Sequence, residues 1–358
     1  MATLASGVRP DEYLPPGRAV ALVVEARTPW QLFWSRFRTD RAAVAGLVTI
    51  AILVMLAVAA PLVSGFVGHG PNQLFGNMTT ALGLPRGPSS QFWFGADSVG
   101  RDVFVRTIYG ARTSLTVAFL ATGAATLIGV TLGLVAGFFR GWVDTAISRA
   151  IDIVLSLPLL LLAIGIAAAC SVSPNGCLDG LVQPGLRLVV VVIGLFTWPQ
   201  IARIVRGQTF SLQEREFVEA ARSIGEGNAR IMFQEILPNL VAPIVVYVTL
   251  ILPSNILFEA ALSFLGLGIP QSTPSWGGMI AQAAEGQLFT YAWWMMLFPG
   301  LFLLLTTLAF NLVGDGLRDA LGPGRPHVRA RLRRSRRGGC LRRSHVGTAP
   351  MGAGKGAP

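Results

Sequence analysis

Two carboxylates stand where an apolar solvent would surround them: Asp152 near the start of one run of Leu, Ile, Val and Ala, and Glu259 inside another. Ionisable groups in hydrocarbon are costly, so both, with the amide of Asn255, are candidates for lining a solute pathway. The alternatives are an interfacial Asp152 paired with Arg149 and a structural Glu259 facing a helix bundle. Cys170 and Cys177 flank a Ser-Val-Ser-Pro-Asn-Gly stretch whose turn residues could bring the two thiols together. With neither His nor a further Cys nearby, a disulfide or a pair of small residues at a helix end fits better than a metal, and no metal site is expected. A phosphate-cradling loop needs Gly, four residues, then Gly-Lys and a hydroxyl. Around Gly354-Lys355 the first Gly position is Ala349 and the hydroxyl position is Gly356, so the motif fails. Neither a His-Glu zinc motif nor a serine elbow appears, and with three His in the chain an enzyme is not expected.

The elements that must position these groups are set by composition. Of 358 residues, 52% are apolar and 13% charged, about half the charge of a soluble domain, and the mean hydropathy is positive. Crossing about 30 Å of hydrocarbon takes about 20 helical residues, so spans are sought before domains. Six qualify: 42–64, 114–139, 151–170, 188–202, 239–262 and 293–314, the fourth being short. The polar start and the length of the first run argue for a retained anchor rather than a cleaved signal. Pro158, Pro199, Pro253 and Pro299 interrupt apolar runs and are expected to kink them.

The net charge of +11 resides in a tail: Gly324 to Pro358 holds nine Arg and Lys355 and no acid, leaving 19 basic against 18 acidic residues elsewhere. Such a stretch buries no core and reads as a disordered extension in solvent or at lipid headgroups, not as a nucleic-acid site. With the N-terminus cytoplasmic, 24 of the 29 Lys and Arg fall inside, and only Arg86, Arg101, Arg106, Arg112 and Arg187 outside. Without the tail the ratio is still 14 to 5, which sets both termini inside. The chain then divides into a cytoplasmic segment 1–41, a first span 42–64, an extracytoplasmic loop 65–112, a core 113–316 with five further spans, and a cytoplasmic tail 317–358.

The polar stretch 208–238, between spans four and five, is patterned. Phe217, Ala220, Ala221 and Ile224 share one helical stripe, with Arg215 and Glu219 spaced for an i, i+4 pair. Gly225 follows where a left-handed helix end is wanted, a second helix starts near Ala229, and Pro238 suits a helix start. By spacing alone this could be any amphipathic helix resting on a membrane. The sequence Glu219-Ala220-Ala221, then Gly225, then Leu237-Pro238, preceded by Arg206-Gly207-Gln208 and Glu214-Arg215-Glu216-Phe217-Val218, resembles the EAA loop of ABC importer permeases.

Further segments resemble the dipeptide, oligopeptide and nickel branch of that family: Phe94-Gly95-Ala96-Asp97 with Gly100-Arg101-Asp102-Val103, Ser263 to Gly268, Pro274 to Gly277, and Asn311 to Asp319. The likeness covers roughly residues 30–322; Ala96 replaces the family's usual Thr, and 170–179 looks inserted. The resemblance implies an all-α membrane protein of six transmembrane helices with the type I ABC importer permease fold. It also implies coupling to an ATPase through Phe217, Glu219, Ala220, Ala221, Ile224, Gly225, Leu237 and Pro238, with the stripe as the docking face. The implied partners are a second homologous permease, two ATP-binding subunits and an extracytoplasmic substrate-binding protein, in a bacterial plasma membrane. This chain would hold no cofactor, ATP and Mg being bound by the partner, and the cargo would be peptides or a related solute such as nickel. The rival is a stand-alone secondary transporter, which usually shows internal repeats not visible here.

Overall fold

The computed structural model describes residues 29–81, 83–172, 177 and 182–322; the Arg-rich tail, with its Gly-Lys stretch, lies outside the described residues. Helix α1 (Pro29–Thr39) meets α2 (Arg41–Val58) across one residue, Asp40, whose carboxylate accepts from the Ala42 and Ala43 amides and caps α2. A break at Ala59 leads into α3 (Ala60–Val67). Asp102 caps the 37-residue α4 (Val103–Phe139), followed by α5 (Gly141–Ser156), α6 (Leu159–Val172) and α7 (Leu186–Gln213). Then come α8 (Glu216–Ser223), α9 (Asn228–Arg230), a π-helical turn (Ile231–Ile236), α10 (Leu237–Phe264), α11 (Trp276–Ala284), a 3₁₀ stretch (Glu285–Thr290) and α12 (Trp294–Leu321). Among the described residues there is no strand, only isolated bridges such as Cys177 with Val182.

Five helical runs are long and apolar enough to cross a membrane, and six when α5 and α6, bent by 84°, count as one. The bend falls at Leu157-Pro158, where a ring in place of an amide and its clash with the preceding turn end α5. Pro199, Pro253 and Pro299, together with Pro243, lie inside continuous helices, so a proline in an apolar run need not end it. The short fourth run is completed in the same way, α7 continuing through Pro199 to Gln213.

Helix α4 is the centre of the bundle. Three of its glycines, Gly129, Gly133 and Gly137, lie one turn apart against α7, so close that a Cβ on Gly133 would stand 2.6 Å from the Ala202 carbonyl oxygen. Small residues at four-residue spacing bring two membrane helices to backbone contact, where dispersion replaces the hydrophobic effect as the attraction. Helix α12 packs on α2 in the same manner, Gly46 under Ala309 and Gly316 against Ala43.

The segment before α4 is fastened by buried charge. Asp97 accepts from the Arg101 Nε at 2.6 Å, with the Arg106 Nε 3.5 Å away. Arg101 reaches Gln282 of α11 at 3.2 Å, and Arg106 reaches the carbonyls of Pro71 and Gln271 at 2.9 and 3.0 Å. His69 lies 2.6 Å from the capping carboxylate of Asp102. Each buried ion has a partner or hydrogen-bonding oxygens around it, the condition under which buried charge is tolerated.

Candidate coupling site

The ends of α4 and α7 meet through Gln213, which donates to the Phe138 carbonyl at 2.7 Å and accepts from Arg140 Nε at 3.1 Å. From this junction the chain turns at Arg215, whose extended backbone (ψ 147°) starts α8. The expected Arg215–Glu219 ion pair is not among those formed by the described residues: Arg215 is the cap of α8, its carbonyl accepting from the Glu219 amide at 3.3 Å. The ion pairs in this stretch join Glu214 to Arg140 and Glu226 to Arg230, each at 3.2 Å.

Helix α8 stops with both signature bonds of a Schellman end: Glu226 N–H to the Ala221 carbonyl (3.1 Å) and Gly225 N–H to the Arg222 carbonyl (3.0 Å). Gly225 has φ +83°, where a Cβ costs about 1–2 kcal/mol against the backbone. The sequence reading of that glycine matches this geometry, and the second helix, expected near Ala229, starts at Asn228.

The stripe itself divides. Val218 is fully buried and Ala221 nearly so, with Phe217 packed beside them against Phe138, Ile231, Ile236 and Leu240. Ala220 and Glu219 are exposed and Ile224 is 77% exposed. At about 100° per residue the buried arc centres on Ala221 and takes in Val218, roughly half a residue step round from the stripe read in the sequence. Val218 was missed because three of its four neighbours at three- and four-residue spacing, Glu214, Arg215 and Arg222, are polar. The outward face therefore comprises Glu219, Ala220 and Ile224, while Phe217 and Ala221 seat the helix.

Pro238 stands in the first turn of α10, as expected of a helix start, but that helix runs on from α9 and the π turn in one stretch, Asn228–Phe264, with the Leu237 amide donating to the Met232 carbonyl five residues back. The wider turn is a familiar accommodation next to a missing donor. Leu237 packs at the edge of the cluster under α8, so α8 and the foot of α10 share one core.

Next to this site, α5 and α7 are braced by two ion pairs. Arg206 binds both oxygens of Asp144, one at 2.8 Å (Nη2 to Oδ2), and Arg203 meets Asp152 at 3.0 Å. Asp152 thus pairs with Arg203 rather than Arg149, and both members are more than half exposed, a surface pair worth at most about 1 kcal/mol. Glu259 and Asn255 face inward at the other end of α10. Asn255 donates to Thr122 at 2.8 Å and Glu259 accepts from Ser114 and Ser263, each at 2.8 Å. Cys170 and Cys177 are joined by a disulfide at that same end, beside Val182 and Ile269.

The chain matches the family model described as "Binding-protein-dependent transport system inner membrane component" over residues 129–325, and that of the "N-terminal TM domain of oligopeptide transport permease C" over 28–78. It is 40% identical to a dipeptide transport system permease protein of Alkalihalophilus pseudofirmus over 300 residues, covering 83% of this chain and 91% of that one. To a glutathione transport system permease protein of Pectobacterium atrosepticum it is 38% identical over 297 residues, covering 83% and 92%. Among solved structures, an inward-facing MetNI methionine ABC transporter matches with a TM-score of 0.47 at 19% identity, over 62% of this chain and 97% of that one.

Proposed function

The chain belongs to the family of binding-protein-dependent transport system inner membrane components, and from that membership we infer how its parts work in transport. It is a multi-pass permease subunit of an ABC importer in the bacterial inner membrane. The finer reading is that it pairs with a second homologous permease, receives solute from an extracytoplasmic binding protein, and is driven by two separate ATP-binding subunits that hold ATP and Mg. The cargo class is di- or oligopeptides or a related small solute, a reading supported by the relatives named for dipeptide and glutathione transport.

The observation that carries the coupling role is the construction of α8. Its inner face, Val218 and Ala221, is cemented to the ends of α4, α7 and α10, while Glu219, Ala220 and Ile224 are left outward on a helix too short to be stable alone. A push on that outer face reaches three spanning helices through one core. Small Ala220 permits close approach, Ile224 offers an apolar anchor and Glu219 an acidic group for a basic partner. The excess of Arg at this end supports its cytoplasmic placement.

The test is substitution in the assembled complex. Glu219→Arg or Gly225→Val is expected to abolish solute uptake and solute-stimulated ATP hydrolysis while leaving membrane insertion intact. Uptake at the unsubstituted level in both variants would remove α8 from the coupling path.

A further inference from the structure

Glu259 is fully buried, and the coupling contacts above make no use of it. Its two carboxyl oxygens are both occupied: Oε2 accepts from the hydroxyl of Ser114 on α4 and Oε1 from that of Ser263 on its own helix. Ser263 Oγ in turn accepts the amide N–H of Ile269 at 3.2 Å. The directions are forced, since an amide can only donate, which leaves the Ser263 hydroxyl proton for the carboxyl. The result is a relay from the Ile269 backbone through Ser263 to Glu259, with Ser114 joining from the neighbouring helix.

What this relay holds is the chain after α10. The helix ends at Gly266, φ +77°, with Leu267 N–H on the Leu262 carbonyl, and the chain folds back so tightly that a Cβ on Gly268 would collide with Ser263. The folded-back segment is gripped from outside as well. The Gln271 carbonyl accepts from Arg106, the Ser272 carbonyl from Asn72, and Trp276 Nε1 donates to the Thr107 carbonyl at 3.0 Å. At its other end α10 is continuous with the turn below α8, in one run from Asn228. From Asn228 to Glu259 that is about 47 Å at about 1.5 Å per residue, more than the thickness of the hydrocarbon.

We propose that Glu259 is a positioning residue for transport: it locks α4 and the turn Leu265–Ser275 to the far end of α10, so that displacement at α8 reaches the opposite face of the membrane. This rests on the importer reading and deepens it. Glu259 serves as a bidentate acceptor inside the bundle, with no contact to solute.

Two measurements decide it. In the full chain held in phosphatidylcholine nanodiscs, hydrogen exchange of the peptide containing Ile269 is expected to rise about tenfold or more in Ser263→Ala, where the buried amide loses its acceptor, and in Glu259→Leu, where the Ser263 hydroxyl loses the carboxylate that fixes it beneath that amide. Glu259→Gln keeps an acceptor oxygen toward Ser263 and should exchange within a few-fold of the unsubstituted chain. Unchanged exchange in Glu259→Leu, or equal exposure in Glu259→Gln, overturns the lock. In the reconstituted complex, Glu259→Leu is expected to lose about tenfold in solute transported per ATP hydrolysed at unchanged complex yield, with Glu259→Gln close to normal. If Glu259→Gln falls as far as Glu259→Leu, the carboxylate acts through its charge in the pathway and the positioning role is wrong. If Glu259→Leu keeps its transport ratio while Ile269 is exposed, the lock has no part in transport. Failure of the unsubstituted complex to transport would count against the importer reading alone, with the exchange result still deciding the lock.

Discussion

Replacing Gly133 with alanine adds one methyl group where α4 and α7 are in backbone contact. An ideal Cβ there stands 2.6 Å from the Ala202 carbonyl oxygen and 2.9 Å from the Val205 Cβ, about 0.8 Å inside ordinary contact for the first. The obstacle is backbone, so no rotamer change relieves it and α4 and α7 must part. Overpacking of this kind costs about 1–3 kcal/mol, against which alanine's better helix propensity returns about 0.5–1 kcal/mol. Gly123 provides the internal control, because it lies on the same helix with nothing within 4 Å of its Cβ position. Gly123→Ala should therefore be neutral or stabilising while Gly133→Ala destabilises by about 1–2 kcal/mol. Thermal unfolding of the purified chain in one detergent, read by circular dichroism, compares the two. Equal stability of the two variants, or a gain in Gly133→Ala, would refute the close packing of α4 on α7.

Asp97→Ala strips the shared counter-ion from two buried arginines, Arg101 and Arg106, and should destabilise the segment before α4 by about 3–5 kcal/mol, seen as protease cleavage between residues 65 and 102 that the unsubstituted chain resists. Unreduced chain should show Cys170 and Cys177 blocked to alkylation, and Cys170→Ser should lower stability by about 2 kcal/mol, the loop being short; full alkylation without reductant would contradict both the bridge and the outward placement of that loop. Asp152→Asn breaks only an exposed pair and should change stability by less than about 1 kcal/mol, leaving uptake intact.

How much was legible in the residues differs by the kind of interaction. The spans were, because about 20 apolar residues state their own solvent, and so was the end of α8, because only glycine suits φ +83° without cost. The face of α8 was read partly wrongly. The sequence shows where Phe217, Ala220, Ala221 and Ile224 lie on a helix but not how that helix is rolled, which Phe138, Ile231 and Leu240 decide from distant positions. The spacing of Arg215 and Glu219 likewise did not show that Arg215 takes the extended backbone of a cap. Arg203 was not visible as the partner of Asp152, since they are 51 positions apart and meet only when α5 folds onto α7. The same holds for Ser114 and Glu259, which are 145 positions apart and meet only when α4 packs on α10. The cluster of Asp97, Arg101 and Arg106 carried a signal that went unused: with Asp102 it makes four charges within ten residues, in a stretch otherwise poor in charge.

The central claim is that the outer face of α8 meets an ATP-hydrolysing partner. Single cysteines at Ala220 and Ile224, with one at Val218 as the inward control, placed in a chain lacking its native cysteines and assembled with its ATPase, test it by thiol-to-amine crosslinking. Crosslinks to the ATPase from Ala220→Cys and Ile224→Cys, and none from Val218→Cys, are the expected result. No crosslink from either outward position in a complex that transports, or equal crosslinking from Val218→Cys, would contradict it.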